Sequence, residues 1–225
     1  MPGAVNSKPA CRAVVLISGS GSNLQTLIDG QQAGRLPISI EAVISNHAGV
    51  LGLKRADANN IPNHVLAHKG FADRSSFDDA LRQLIDRYQP DLIILAGFMR
   101  ILTPEFVRHY TGRMLNIHPS LLPKYQGLHT HQRALENNDN NHGVSVHFVT
   151  EELDGGPNII QAIVPIFNGD DVETLTKRVQ VQEHIIYPMA VAWFAEQRLV
   201  MENDIVLLDS EPLAKEGYQI DSRAS

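Results

Sequence analysis

Apolar positions along the chain fall into short continuous runs separated by segments with helical spacing. The first run, Ala13-Val14-Val15-Leu16-Ile17-Ser18, is rich in β-branched residues and unbroken, which suits a strand covered on both faces. It ends in Gly19-Ser20-Gly21-Ser22, after which Leu24, Leu27 and Ile28 recur as on one face of a helix. The unit then repeats. Residues 38–45 read as a strand, 50–59 as a helix, 63–66 as a short strand, 78–88 as an amphipathic helix and 91–96 as a buried strand. Strands alternating with helices imply right-handed crossovers, so the fold class expected is α/β: an open, mostly parallel twisted sheet with helices on both faces.

After about residue 115 the pattern changes. Residues 114–118, 144–150 and 159–165 read as strands, with a turn-rich insert after the first, and an antiparallel element is expected in this C-terminal part. Asp170 and Asp171 are candidate N-caps for a long helix over 172–197, which Pro188 should kink or split. The resulting organisation is a loose leader over 1–11, a single domain over 12–209 and a poorly ordered tail over 210–225.

Composition narrows the function classes. Nineteen Lys and Arg face 25 Asp and Glu, a formal net charge of −6, which argues against nucleic-acid wrapping and against acidic membranes. Any anionic substrate must therefore be held by local donors. The single cysteine, Cys11, excludes an intramolecular disulfide and a Cys-based zinc cluster. The leader lacks an apolar signal region and the longest apolar runs are too short to span a bilayer, so a cytoplasmic protein is expected.

Three features carry candidate chemistry. The loop Gly19-Ser20-Gly21-Ser22-Asn23-Leu24 between a strand and a helix is either a plain tight turn or a phosphate cradle of backbone N–H groups. Leu24 stands where a dinucleotide fingerprint needs its third glycine, so one phosphate on a small sugar ester fits better than a dinucleotide. In the strand Met114-Leu115-Asn116-Ile117-His118, Asn116 and His118 share one face. They are a buried polar pair, or an oxyanion donor beside a proton carrier. In residues 144–149, Ser145 and His147 alternate with apolar residues and face either solvent or a cleft. Asp154, before Gly155 and Gly156, sits where a special backbone geometry is expected, and a carboxylate beside a histidine favours imidazolium.

Other polar residues are less eloquent. His129-Thr130-His131 lacks a third ligand at a usual metal spacing, so no metal is expected. His184 reads as a polar or capping contact. Gln180 and Glu183, one turn apart, face either one partner or solvent. Ser120 has no nucleophile-elbow setting and Cys11 lies in the leader, which leaves covalent catalysis unsupported.

Residues 16–23 (LISGSGSN), 96–102 (AGFMRIL), 116–128 (NIHPSLLPKYQGL), 129–136, 143–150, 152–157 (ELDGGP) and 182–188 (QEHIIYP) resemble the folate-dependent formyltransferase family. Within it, the loop SGSGSN, the run GLHTH and the helix QEHIIYP point to members acting on glycinamide ribonucleotide. The resemblance implies formyl transfer from 10-formyltetrahydrofolate, as co-substrate, to the amine of that ribonucleotide in purine synthesis, with no metal or nucleotide cofactor. It implies that Asn116, His118 and Asp154 are catalytic. Gly21, Ser22, Asn23, Leu24, Gln25 and Glu183 would contact the ribonucleotide. Arg74, Met99, Arg100, Ile101, Leu102 and Asn116 would contact the folate. The only partners implied are these small molecules, to a monomer or homodimer. Gln126 occupies a position where the family usually has proline, which should loosen that turn slightly. The rivals are formyltetrahydrofolate hydrolase, another folate-dependent formyltransferase such as the one that acts on methionyl-tRNA, and a non-catalytic folate- or phosphate-binding module. The tRNA enzyme normally carries a further domain, and an acidic chain of 225 residues leaves no room for a basic tRNA module.

Overall fold

The apolar run at the start of the chain forms β1 (Cys11–Ile17), which lies deep inside the molecule. The computed structural model describes residues 10–224. Ala13, Val15 and Ile17 join one apolar cluster, and Val14 and Leu16 join a second. The first cluster also takes Leu24, Leu27 and Ile28 of α1 (Ser22–Gln32) and the buried face of α6 (Val172–Ala195). The second takes Phe77, Leu81 and Ile85 of α3 (Arg74–Asp86) and Phe106 and Val107 of α4 (Pro104–His109). With helices on both faces, successive side chains of a strand all need to be apolar, which explains the unbroken runs.

The other main elements are β2 (Ile38–Ser45), α2 (Leu51–Ala58), β3 (Asn63–Val65), β4 (Leu92–Leu95), β5 (Met114–His118), α5 (Thr130–Glu136), β6 (Asn141–Phe148), β7 (Asn158–Pro165) and β11 (Tyr218–Asp221). Together they give an eight-stranded sheet in the order β11-β7-β6-β5-β4-β1-β2-β3. Only β6 runs against its neighbours; it is antiparallel to β5 and β7, while the remaining pairs are parallel. From β1 the chain proceeds to β2 on one side and returns to β4 on the other. That reversal opens a crevice at the carboxyl ends of β1 and β4, where α/β sheets bind ligands.

Several boundaries differ from the expectation. Cys11 is not in a loose leader: it opens β1, is buried, and its N–H donates to the Pro37 carbonyl (3.0 Å). Burial first, and then Asp91, pushes its thiol up to about 11. The rest of the expected leader, residues 1–9, lies outside the described residues. α3 begins before residue 78 because Asp73 accepts from the Ser76 N–H (2.8 Å) while Ser76 Oγ accepts from the Asp73 N–H (3.3 Å), a reciprocal cap. α6 is neither split nor ended by Pro188. The proline forfeits one backbone bond, but Ile186, Tyr187, Ala190 and Val191 around it are buried. Tyr187 Oη also shares its proton between the carbonyls of Leu95 (2.7 Å) and Leu115 (3.2 Å).

The described part of the tail expected to be poorly ordered, residues 210–224, is instead part of the fold. β8 (Leu199–Glu202), β9 (Ile205–Leu208) and β10 (Glu211–Pro212) form a small antiparallel sheet. β11 then pairs with β7 from Tyr218↔Ile160 to Asp221↔Ile163 and covers an edge that would otherwise stand open. Gly217, at φ +76°, makes this approach possible, since a Cβ there would come within 2.6 Å of the Ile159 carbonyl oxygen. No helix among the described residues is long and apolar enough to cross a membrane.

Candidate active site

The loop after β1 is shaped by glycine. Gly21 has φ +69°, and a Cβ there would stand 2.7 Å from Gly52 Cα on α2. The Gly52 N–H donates to Gly19 O (3.1 Å), and Arg55 of α2 donates to Ser20 O (2.9 Å) and Gln25 Oε1 (3.1 Å). Gly21 is the N-cap of α1 but has no side chain to cap with, so the first-turn N–H groups remain available at the positive end of the helix. Leu24 is fully buried and its side chain packs into the first apolar cluster.

α6 clasps the same loop. Gln180 donates to Ser22 Oγ (3.2 Å), and Asn23 Nδ2 donates to Glu183 Oε2 (2.8 Å). The pair one turn apart thus faces one partner. Burial raises the Glu183 carboxyl above its ordinary value, against the opposing pull of Asn23 and of the charges on His184 and His118. Beside it, His184 Nε2 is enclosed without a hydrogen-bond partner.

After β4 the loop carrying Met99, Arg100, Ile101 and Leu102 lies next to Ser18. Ser18 Oγ accepts from the Met99 N–H (2.7 Å) and donates to Asn46 Oδ1 (2.6 Å). Met99 and Ile101 are exposed apolar side chains, 67% and 50%, of the kind a ligand would cover. The Arg100 guanidinium stacks 4.2 Å from the Phe77 ring centroid. Asp78 joins α3 to this loop by accepting from the Thr103 N–H (2.6 Å). Its carboxyl is raised chiefly by burial, with Thr103, Arg100 and Arg74 pulling the other way. Arg74 therefore belongs to the electrostatic surroundings of this loop, but no hydrogen bond joins it to the other predicted residues.

Asn116, His118 and Asp154 come together. His118 Nδ1 lies 3.4 Å from Asp154 Oδ2, and Asn116 Nδ2 lies 3.5 Å from Asp154 Oδ1. Asp154 adopts φ +49°, the left-handed state its Gly-Gly context foretold, and a Cβ at Gly156 would collide with the Phe148 carbonyl. The Gly127 N–H donates to Asp154 Oδ2 (2.9 Å), and Gln126 Nε2 donates to Asp154 O (3.2 Å). Gln126 therefore ties its turn to the catalytic loop, where a slight loosening was expected. The other nitrogen of His118, Nε2, donates to Tyr125 O (2.8 Å). Both ring nitrogens thus face oxygen acceptors, an arrangement that only the doubly protonated ring satisfies in full.

A fourth member, His147, was noted in the sequence only as sharing a face with Ser145. Antiparallel register sets Asn116 opposite His147 and His118 opposite Ser145. His147 is buried, and its Nδ1–H donates to Phe148 O (2.8 Å), which leaves Nε2 to accept from Asn116 Nδ2 (3.1 Å). Burial pushes this imidazole down to about 4, so it stays neutral and fixes the direction of the Asn116 amide. The contact of the same amide with Asp154, at 3.5 Å, is the longer and weaker of its two. Ser145 faces neither solvent nor the cleft. It is fully buried, donating to Ser120 O (2.7 Å) and accepting from the Leu122 N–H (3.1 Å).

His131 and His142 form a second imidazole pair, Nδ1 to Nε2 3.1 Å. Burial lowers both, His142 to about 4. No group of His, Cys, Asp and Glu among the described residues forms a metal-binding cluster. Beside Asp154 a cleft of about 890 Å³ opens between α4, the 149–158 loop and the small sheet, lined in part by Val107, Val149, Met201 and Ile205.

A glycine-shaped helix N-terminus, with an amide, an imidazole and a carboxylate brought together at the carboxyl ends of the central strands, offers the groups that acyl transfer on an α/β fold requires. Residues 11–191 match the formyl transferase family, and the chain belongs to it. It is 55% identical to the phosphoribosylglycinamide formyltransferase of Escherichia coli over 92% of this chain and 98% of that protein. The crystal structure of the phosphoribosylglycinamide formyltransferase of Coxiella burnetii superposes with a TM-score of 0.91 at 54% identity, covering 94% of this chain and 99% of the other. A formyltetrahydrofolate deformylase from Pseudomonas syringae is more distant: TM-score 0.83, 26% identity, 88% of this chain and 66% of that one.

Proposed function

We propose that the protein transfers the formyl group of 10-formyltetrahydrofolate to the amine of glycinamide ribonucleotide in purine biosynthesis, releasing formylglycinamide ribonucleotide and tetrahydrofolate. The observation that carries this is the joining of a phosphate cradle to the Asn116–His118–Asp154 trio: α6 holds Asn23 of the cradle through Glu183 (2.8 Å) and the strand of Asn116 and His118 through the bond from Tyr187 Oη to Leu115 O (3.2 Å). The ribonucleotide phosphate sits on the loop formed by Gly21, Ser22, Asn23, Leu24 and Gln25, whose Gln25 N–H is already bonded to Gly21 O (2.9 Å), so the donors come from the residues before it, with Glu183 at its sugar or amine end. The folate lies along Met99, Arg100, Ile101 and Leu102, with Arg74 at its acidic tail.

The neutral amine attacks the formyl carbon directly. Asn116 donates to the oxyanion, worth about 10²–10³ in rate for one such donor. Imidazolium His118 supplies the proton taken by the departing folate nitrogen, with acid–base help worth about 10²–10⁴. Asp154 holds that imidazolium in place, and positioning of two bound substrates contributes the remainder. The formyl group arrives activated, so no covalent enzyme intermediate, metal or nucleotide cofactor takes part. The enzyme works in the cytoplasm as a monomer or homodimer.

The competing hydrolase would pass the formyl group to water. Folate absorbance followed with and without glycinamide ribonucleotide separates the two. Turnover is expected only with the ribonucleotide present; rapid formate release in its absence would overturn the assignment.

A further inference from the structure

We propose that Tyr125 is a positioning residue for His118, a role that rests on the formyl-transfer reading and adds to it which imidazole nitrogen carries the proton. Tyr125 lies in the turn between β5 and α5 at φ +58°, a left-handed state that a bulky residue seldom takes. Its side chain is held from three directions. Tyr125 Oη donates to Asp139 Oδ2 (2.7 Å) and accepts from Asn137 Nδ2 (2.9 Å), and the Arg133 guanidinium lies 5.0 Å from the ring centroid. Lys124 Nζ stands 3.0 Å from both Asp139 carboxylate oxygens. Burial pushes the Asp139 carboxyl up, but the bonds from Tyr125 and Lys124 outweigh it and hold the group below its ordinary value.

The backbone is pinned on either side. Ser120 Oγ donates to the carbonyl of Lys124 (2.6 Å), and Arg133 donates to that of Gln126 (2.8 Å). Between these two sits the Tyr125 carbonyl, which accepts the Nε2–H of His118 (2.8 Å). The ring cannot turn without giving up that bond, so Nδ1 is the nitrogen left facing Asp154. The neutral ring is then the Nε2–H tautomer. In the transfer step, imidazolium Nδ1–H gives its proton to the folate nitrogen as the electron pair of the breaking carbon–nitrogen bond returns to that nitrogen. Nε2–H stays on Tyr125 O, and Nδ1 is free to take back the proton that the attacking amine must shed. The hydroxyl of Tyr125 touches only Asp139 and Asn137, so it acts through the position of its own carbonyl.

Tyr125→Phe keeps the ring and removes the latch to Asp139 and Asn137. Expected is a fall in kcat of about tenfold with both KM values within about twofold of the parent, the signature of a displaced catalytic group. Histidine ¹⁵N NMR of the unliganded parent should show His118 protonated at Nε2 and protected from exchange, with that protection lost in Tyr125→Phe. Asp139→Asn carries the same two readouts if Tyr125→Phe does not fold. A folded Tyr125→Phe with parental kcat, or a parent whose neutral His118 is protonated at Nδ1, would overturn the proposal. The NMR arm needs no substrate: protected Nε2–H in a protein without ribonucleotide-dependent turnover would sink the functional reading while sustaining the latch.

Discussion

The glycine loop follows β1 and the β5–β6 pair lies one strand away, across β4, and the two are made in opposite ways. Residues 19–25 contain no charged side chain, and the loop presents backbone N–H groups shaped by Gly21 and braced by Gly52 and Arg55. The β5–β6 pair presents side chains, each oriented by another: His147 turns Asn116, Tyr125 O holds His118, and Gly127 holds Asp154. A site made of backbone is damaged by adding atoms. A site made of side chains is damaged by removing or exchanging them.

The largest expected effect comes from the side-chain half. Asp154→Asn should lower kcat by about 10²–10³, within the range for lost acid–base assistance, while calorimetric binding of the ribonucleotide changes little. Near-normal turnover would remove Asp154 from its role. In the backbone half, Gly21→Val puts a Cβ against Gly52 and forces φ +69° on a β-branched residue. Its Kd for the ribonucleotide should rise about tenfold or more, as expected for lost charge-assisted hydrogen bonds, with folate affinity kept. Equal loss of both ligands would erase the contrast.

Acidity should separate the halves more gently. Burial pushes the imidazoles of His142 and His147, both near the trio, down to about 4 in the fold, against 6.5 for an ordinary histidine. Between those values the unfolded chain binds protons that the folded one refuses, so stability falls as pH drops from 6.5 to about 4 and then levels for these groups. A series of melting temperatures across that window reads the slope, and His142→Phe should flatten it. The smallest change is Gln126→Pro, which deletes the bond to Asp154 O. A kcat within about threefold of the parent is expected, since an exposed neutral hydrogen bond contributes on the order of 1 kcal/mol.

Much of this was legible beforehand for definable reasons. Strands covered on both faces leave unbroken apolar runs, so β1, β2 and β4 could be read directly. Asn116 and His118 declare a shared face because their spacing is two, and Asp154 is marked by the two glycines after it. His147 could not be assigned the same way. Alternation tells which residues share its face, but not that antiparallel register sets it opposite Asn116. α4 spans only six residues, too few for a periodic signal, and begins where Thr103 Oγ1 accepts from the Phe106 N–H (3.4 Å) with Pro104 in the first turn. β11 is polar in sequence and becomes a strand only because β7 offers an edge. Arg55 and Tyr125 matter through contacts with carbonyls, which leave no pattern in side-chain order.

Tyr187 adds a mechanical consequence. With Gln180 and Glu183 it occupies one face of α6, at steps of three and four residues. The first two grip Ser22 and Asn23 of the glycine loop, while Tyr187 is fastened to the carbonyls of Leu95 in β4 and Leu115 in β5. Seven residues of helix rise about 10 Å. One stiff rod therefore serves as a gauge block between the glycine loop and the strand that carries Asn116 and His118. A single residue inserted between Glu183 and Tyr187 would rotate one grip by about 100° relative to the other and leave each half intact but out of gauge.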